Sequence, residues 1–224
     1  MMPTLLALSG CGGPLSMLDP AGPAARDIAT LWWVMLVGAL LIFVFVLALV
    51  VAAFRRPRAA APAHTPRDEA ARERLFVVTL GIAFPVVVLL ALLGYGLVIG
   101  ERLLPRDEPS VVRVDAQARR STWDFTYPDL ARASRNVLHI PAGRPVDVAI
   151  TTADVIHSFW VPRLAGKLDA IPGHINVLRI EADRPGTYSG LSAEFSGPGY
   201  SHFKFEVVAH DPAGWADFSE DGTE

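Results

Sequence analysis

Residues 190–203 read Gly190-Leu191-Ser192-Ala193-Glu194-Phe195-Ser196-Gly197-Pro198-Gly199-Tyr200-Ser201-His202-Phe203. Pro198 fixes its own φ, and the flanking Gly197 and Gly199 permit a tight turn there. On one side lies Phe203–Ala209. On the other lies Ile175–Glu181, whose apolar and polar residues mostly alternate, as a half-buried strand requires. Further out, Val111–Val114, Trp123–Tyr127, Val137–Ile140 and Val146–Thr151 read as short strands. Pro141-Ala142-Gly143 and Arg184-Pro185-Gly186 are turn signals between them. Short strands at this density predict an all-β sandwich or barrel over residues 111–210.

The preceding half is built differently. Leu31–Phe54 and Leu75–Ile99 contain no Asp, Glu, Lys or Arg. A hydrocarbon core of roughly 30 Å needs about 20 helical residues, so both are long enough to span it. Burying them in a globular core would take a large partner domain, and the rest of the chain is too small. Membrane helices are therefore expected over 30–54 and 75–99, and Pro85 is tolerable in the second. The connector, 55–74, carries Arg55, Arg56, Arg58, Arg67, Arg72 and Arg74 against Asp68, Glu69 and Glu73, which predicts a cytoplasmic loop. Its run Ala59–Pro66 reads as a flexible hairpin connection. Both termini then lie outside the cytoplasm, with Trp32 and Trp33 at the outer interface. Residues 11–29 are expected as an outer N-terminal tail, 100–110 as a linker and 211–224 as a polar acidic tail.

The chain has 224 residues, a net charge of −3 and one cysteine, Cys11, so no intrachain disulfide can form. An acidic exported domain is not suited to nucleic acid. Leu8-Ser9-Gly10-Cys11 resembles a bacterial lipobox, making Cys11 the expected lipidation site and 1–10 a lipoprotein signal segment. Met1-Met2-Pro3-Thr4 departs from that pattern in lacking a basic region.

Three further stretches narrow the fold. Asp154-Val155-Ile156-His157-Ser158-Phe159-Trp160-Val161-Pro162, then Lys167–Gly173, and upstream Asn136–Gly143, together with 190–203, closely resemble subunit II of the haem-copper terminal oxidases. The resemblance runs from about Leu18 to Ala209. It implies a two-helix membrane hairpin followed by a cupredoxin-like Greek-key domain. In that family the loop reads C-S-E-x-C-G-x-x-H-x-x-M and, with an upstream histidine, holds the dinuclear copper centre CuA. Here Ser192 and Ser196 stand at the cysteine positions, Tyr200 at the histidine and Phe203 at the methionine. His157 stands at the upstream histidine, and Glu194 at the position lending a backbone carbonyl. Hydroxyls cannot replace soft bridging thiolates, so CuA is expected to be absent. His157 is read as a histidine hydrogen-bonded beneath the loop, in preference to a mononuclear site with His202.

Ser196–Ser201 resembles the loop of the bo-type ubiquinol oxidases, as do the lipoprotein-like start and Leu18-Asp19-Pro20. The tryptophan pair that takes electrons from cytochrome c is also incomplete: Trp123 fits one position, but Ser121 stands at the other. Trp123 is read as a packing residue. Asp169 and Glu194 resemble the copper-bearing branch instead, and Glu194 is a candidate Mg²⁺ ligand at the subunit I boundary, or else the partner of an arginine. Family members place a proton-entry glutamate where this chain has Val78, and Glu73 is the nearest acid.

The resemblance implies a non-catalytic subunit II of a proton-translocating terminal oxidase in the bacterial inner membrane, its C-terminal domain periplasmic. Haems and CuB would lie in subunit I, subunit III and membrane lipid would be further partners, and quinol would be the electron donor. No cofactor is expected in this chain beyond Mg²⁺ at the boundary. One alternative is a cytochrome c oxidase whose electrons bypass CuA. Another is a stand-alone cupredoxin-like binding or copper-delivery protein, disfavoured because no exposed cluster of Met, His or Cys is present.

Overall fold

In the computed structural model, residues 12–55, 66–105 and 110–220 are described. The chain divides into a helical unit, Leu31–Arg102, and a second unit comprising Met1–Thr30 with Leu103–Glu224. Cys11 lies outside the described residues.

Helix α1 spans Pro23–Arg55, with Pro23 at its first position, where no backbone N–H is needed. Helix α2, Pro66–Val78, passes through a π-helical turn, Thr79–Ala83, into α3, Phe84–Arg102. Pro85 explains the turn. A proline supplies no N–H to the carbonyl four residues back, and the wider register re-pairs the backbone around it: Phe84 N–H reaches Thr79 O, five residues back. Thr79 Oγ1 also donates to Leu75 O at 2.6 Å. The apolar windows of both long helices are unburied in the chain alone. Side chains such as Leu41, Phe54 and Leu89 need lipid or protein around them. One expectation needs correction: the stretch expected as a loop over 55–74 is helical from Pro66 onward.

The second unit is a sandwich of two five-stranded sheets, ordered β3-β2-β1-β5-β8 and β4-β10-β9-β6-β7. The first holds β1 Val112–Arg119, β2 Thr122–Tyr127, β3 Arg132–Arg135, β5 Val146–Thr152 and β8 Asn176–Ile180. The second holds β4 Val137–Pro141, β6 His157–Trp160, β7 Leu168–Ala170, β9 Gly186–Ser192 and β10 Lys204–His210. Neighbours are antiparallel except β1 with β5 and β4 with β10. Alternation puts Val114, Ala116 and Ala118 of β1 and Val146, Val148 and Ile150 of β5 into the shared core. Trp123 sits at its centre, within 5.4–6.4 Å of the rings of Phe125, Phe159, Phe203 and Phe205.

Strands β3, β6, β7 and β9 are not legible as strands in the sequence. His157, Ser158 and Phe159 of β6 are all buried, so no alternation marks the strand. In β9, Gly190 lies against the Phe205 ring, where an added Cβ would stand 2.4 Å from it.

Both ends of this unit differ from the tails expected. At the N-terminal end, Ala21 N–H donates to Arg163 O at 2.7 Å, and Asp183 N–H donates to Ala21 O at 2.8 Å. Arg26 forks onto Asp183 at 3.0 and 3.1 Å, and Arg163 pairs with Asp19 at 2.9 Å. Residues 19–26 are thus sewn onto the sandwich. At the other end, Pro212–Glu220 forms helix α4, whose Trp215 and Phe218 pack on the core. The segment reads as an acidic tail because its two aromatics are too few to form a helical stripe in sequence.

Candidate functional site

The residues singled out in sequence gather where the loop before β6 meets the loop between β9 and β10. His157 opens β6 and is wholly buried. Its Nε2 lies 2.9 Å from Asp154 Oδ1 and donates to it. The Asp154 carboxylate also accepts from Arg120 N–H at 2.6 Å, Val155 N–H at 2.7 Å and Thr152 Oγ1 at 3.0 Å. Burial alone would raise its pKa. The hydrogen bonds from Arg120, His157, Val155 and Thr152 outweigh that and hold it well below the usual carboxylate range. The ionised carboxylate fixes the ring, so Nε2 carries the donated proton. Nδ1 is buried with no hydrogen-bond partner among the described residues.

Across the site, the Phe203 ring meets the His157 imidazole edge-on, centroids 5.2 Å apart. Phe203 is buried and also stacks on Trp123 at 5.8 Å. Ser192 ends β9, is buried, and accepts the Ser158 N–H at 3.4 Å. The Ser196 hydroxyl is buried without a partner among the described residues, as is that of Ser158. Tyr200 is 38% exposed and rests edge-on against Phe195 at 5.3 Å. Glu194 accepts the Phe195 N–H at 3.0 Å. His202 is exposed, with Ser201 Oγ 3.4 Å from its Nδ1.

The loop closes on its own backbone. Gly197 and Gly199 hold φ of 117° and 88°, values that glycine alone adopts readily. Tyr200 N–H then reaches Gly197 O at 3.2 Å, His202 N–H reaches Gly199 O at 3.0 Å, and Phe203 N–H reaches Tyr200 O at 2.9 Å. His157, Ser192 and Phe203 are therefore brought into one buried corner, while Tyr200 and His202 lie on the surface. Glu73 is exposed on α2, in the other unit. The Asp154 hub was missed in sequence, although an acid three residues before the histidine was visible.

Residues 126–210 match the family model described as cytochrome c oxidase subunit II, periplasmic domain. A quinol oxidase subunit 2 of Bacillus cereus is 30% identical over 209 residues, covering 92% of this chain and 72% of that protein. The chain belongs to the subunit II family of haem-copper terminal oxidases. A cytochrome c oxidase subunit 2 of Alkalihalophilus pseudofirmus is 30% identical over 218 residues, 91% of this chain and 61% of that one. The crystal structure of the periplasmic domain of subunit II of cytochrome oxidase of Bradyrhizobium japonicum is similar with a TM-score of 0.49 and 23% identity, over 53% of this chain and 96% of that one.

This subunit II is thus one member of an oxidase complex with other subunits. A paired copper centre needs two bridging thiolates. At the corresponding positions stand two hydroxyls, a surface phenol and a phenyl ring packed on the buried His157 imidazole. These side chains do not fit that centre.

Proposed function

We propose that this subunit II serves a quinol-oxidising terminal oxidase, carries no CuA, and acts as a structural part of the complex. The single observation behind this reading is the corner where Phe203 abuts His157 with Ser192 nearby on β9. A phenyl ring packs against the His157 imidazole, and the donors left are not soft. Electrons from quinol would pass to the haem of subunit I without crossing the sandwich. The helices would pack on subunit I, with subunit III and lipid as further neighbours. The β unit would cap the outer face.

The same reading puts the 55–74 loop in the cytoplasm on its arginine excess and the sandwich outside the bacterial inner membrane. It also makes Cys11 the lipid anchor and Glu194 a candidate Mg²⁺ ligand or else the partner of an arginine, with Glu73 the nearest acid to the family's proton-entry position at Val78. Glu194 favours a second reading, in which cytochrome c is the donor and electrons bypass CuA. It belongs to the copper-bearing pattern, and relatives of similar identity carry both the quinol and the cytochrome c oxidase names.

The test is turnover by the purified complex. Oxidation of quinol but not ferrocytochrome c, with no near-infrared CuA band, is expected. Ferrocytochrome c turnover with inert quinol would overturn the donor assignment, and two coppers bound in the β unit would overturn the rest.

A further inference from the structure

On the side of the sandwich away from that corner, two histidines from neighbouring strands share one hydrogen bond. His139 of β4 and His210 of β10 lie on a parallel strand pair, with His139 opposite Val208 and His210 opposite Pro141. His139 Nδ1 is 2.8 Å from His210 Nε2, the ring centroids are 5.1 Å apart, and the planes differ by 20°. Those distances agree only if both nitrogens lie on the line between the centroids. The rings are therefore coplanar and meet edge to edge, not face to face.

Phe218 of α4 lies across the pair like a lid, 4.4 Å from His139 and 5.7 Å from His210, with its plane within 20° of both. Trp215, one turn earlier, packs against both Phe218 and His210. From β3, Arg132 sets its guanidinium 4.6 Å from the Phe218 ring centre and donates to the Phe218 carbonyl. From β2, Tyr127 meets Phe218 edge-on at 5.2 Å and accepts the His139 N–H at 2.6 Å. Asp211 caps α4 by accepting Gly214 N–H at 2.8 Å.

We propose that the His139–His210 pair is an acid-released latch for α4, holding the helix down as long as the two rings share their hydrogen bond. A neutral pair forms N–H···N, and a singly protonated pair keeps the same bond. A second proton sets two N–H groups head-on at that distance, with two positive charges beneath the Arg132 guanidinium. The rings must then part, and Phe218 loses the flat surface it covers. Tyr127 remains un-ionised throughout, since burial pushes its pKa up to about 12. Asp211 favours the charged form of His210. Against it, burial lowers both histidines, and His210 and Arg132 lower His139 further. With folded values depressed, the stabilisation is present above the ordinary histidine pKa of 6.5 and is lost as pH falls below it. Releasing α4 uncovers β4, an edge strand of its sheet, and frees Arg132 of β3.

The test is hydrogen exchange, read by mass spectrometry, on the purified complex at about pH 7.5 and about pH 5. Times are scaled for intrinsic exchange, and the β2 peptide is the reference for an intact sandwich. The peptide covering 212–220 is expected to lose about tenfold in protection at the lower pH while β2 holds, within the ceiling of about one decade per pH unit that uptake of one proton sets below the ordinary histidine pKa. His210→Gln keeps a hydrogen-bonding group without the titration and should abolish the pH response, whereas Phe218→Ala should open α4 at both pH values. Unchanged wild-type protection would overturn the latch, as would an equal acid response in His210→Gln. If that variant loses β2 protection, His139→Gln carries the same arm with the same two readings.

Discussion

The His157 imidazole meets the Phe203 ring edge-on at 5.2 Å, and both are buried, one anchored by Asp154 and the other stacked on Trp123. Aromatic packing and three backbone hydrogen bonds organise the 190–203 loop. That arrangement has measurable consequences.

Phe203→Ala removes a ring that joins the loop to the core. A cost of about 3–5 kcal/mol is expected for a buried phenylalanine. Phe203→Met, which keeps most of the volume, should cost less than about 1.5 kcal/mol. Denaturant midpoints of the β unit, followed in the intact subunit, distinguish the two. Equal midpoints for both variants would argue that the ring carries little.

Gly190→Ala forces a Cβ to 2.4 Å from the Phe205 ring, which is packed among Trp123, Phe125 and Phe159 and has little freedom to move. Overpacking of this kind costs about 1–3 kcal/mol. A thermal midpoint lowered by several degrees is the expected result, and no shift would contradict the close contact.

The docked N-terminal segment is testable at Gly22. A Cβ there would stand 2.1 Å from the Glu181 carbonyl oxygen, a backbone atom that cannot swing aside. Gly22→Ala should detach residues 19–26 and raise their proteolysis or exchange. Asp183→Asn, which only weakens an exposed ion pair with Arg26, should cost less than about 1 kcal/mol and leave the segment docked. Should the glycine variant stay as protected as wild type, the segment is held by something else.

Asp154 predicts an acid-dependent loss of stability. Its folded pKa is depressed, so the unfolded chain binds the proton more readily. The contribution is complete above the unfolded value of about 4 and fades as pH falls toward the folded one. Asp154→Asn should therefore flatten the stability profile below about pH 4 and lower the plateau above it. A variant profile parallel to wild type at all pH values would remove Asp154 from the acid response.

The family, the two long apolar helices and the all-β character of the second unit were legible from the chain because each rests on local pattern. Uncharged apolar runs, alternation and turn residues are properties of neighbours in sequence. Strands β6 and β9 escaped because burial on both faces, and a glycine making room for Phe205, erase that pattern. The π turn before Pro85 escaped for a related reason, since hydropathy does not register hydrogen-bond spacing.

By itself the sequence determined which side-chain atoms Ser192, Ser196, Tyr200 and Phe203 bring to the 190–203 loop, because residue identity needs no coordinates. Only the tertiary structure decided that Phe203 packs edge-on against His157 and that α4 lies across the His139–His210 pair. Both depend on residues far apart along the chain meeting at a set register and distance, and sheet pairing and core packing establish such meetings only once the two sheets close on each other.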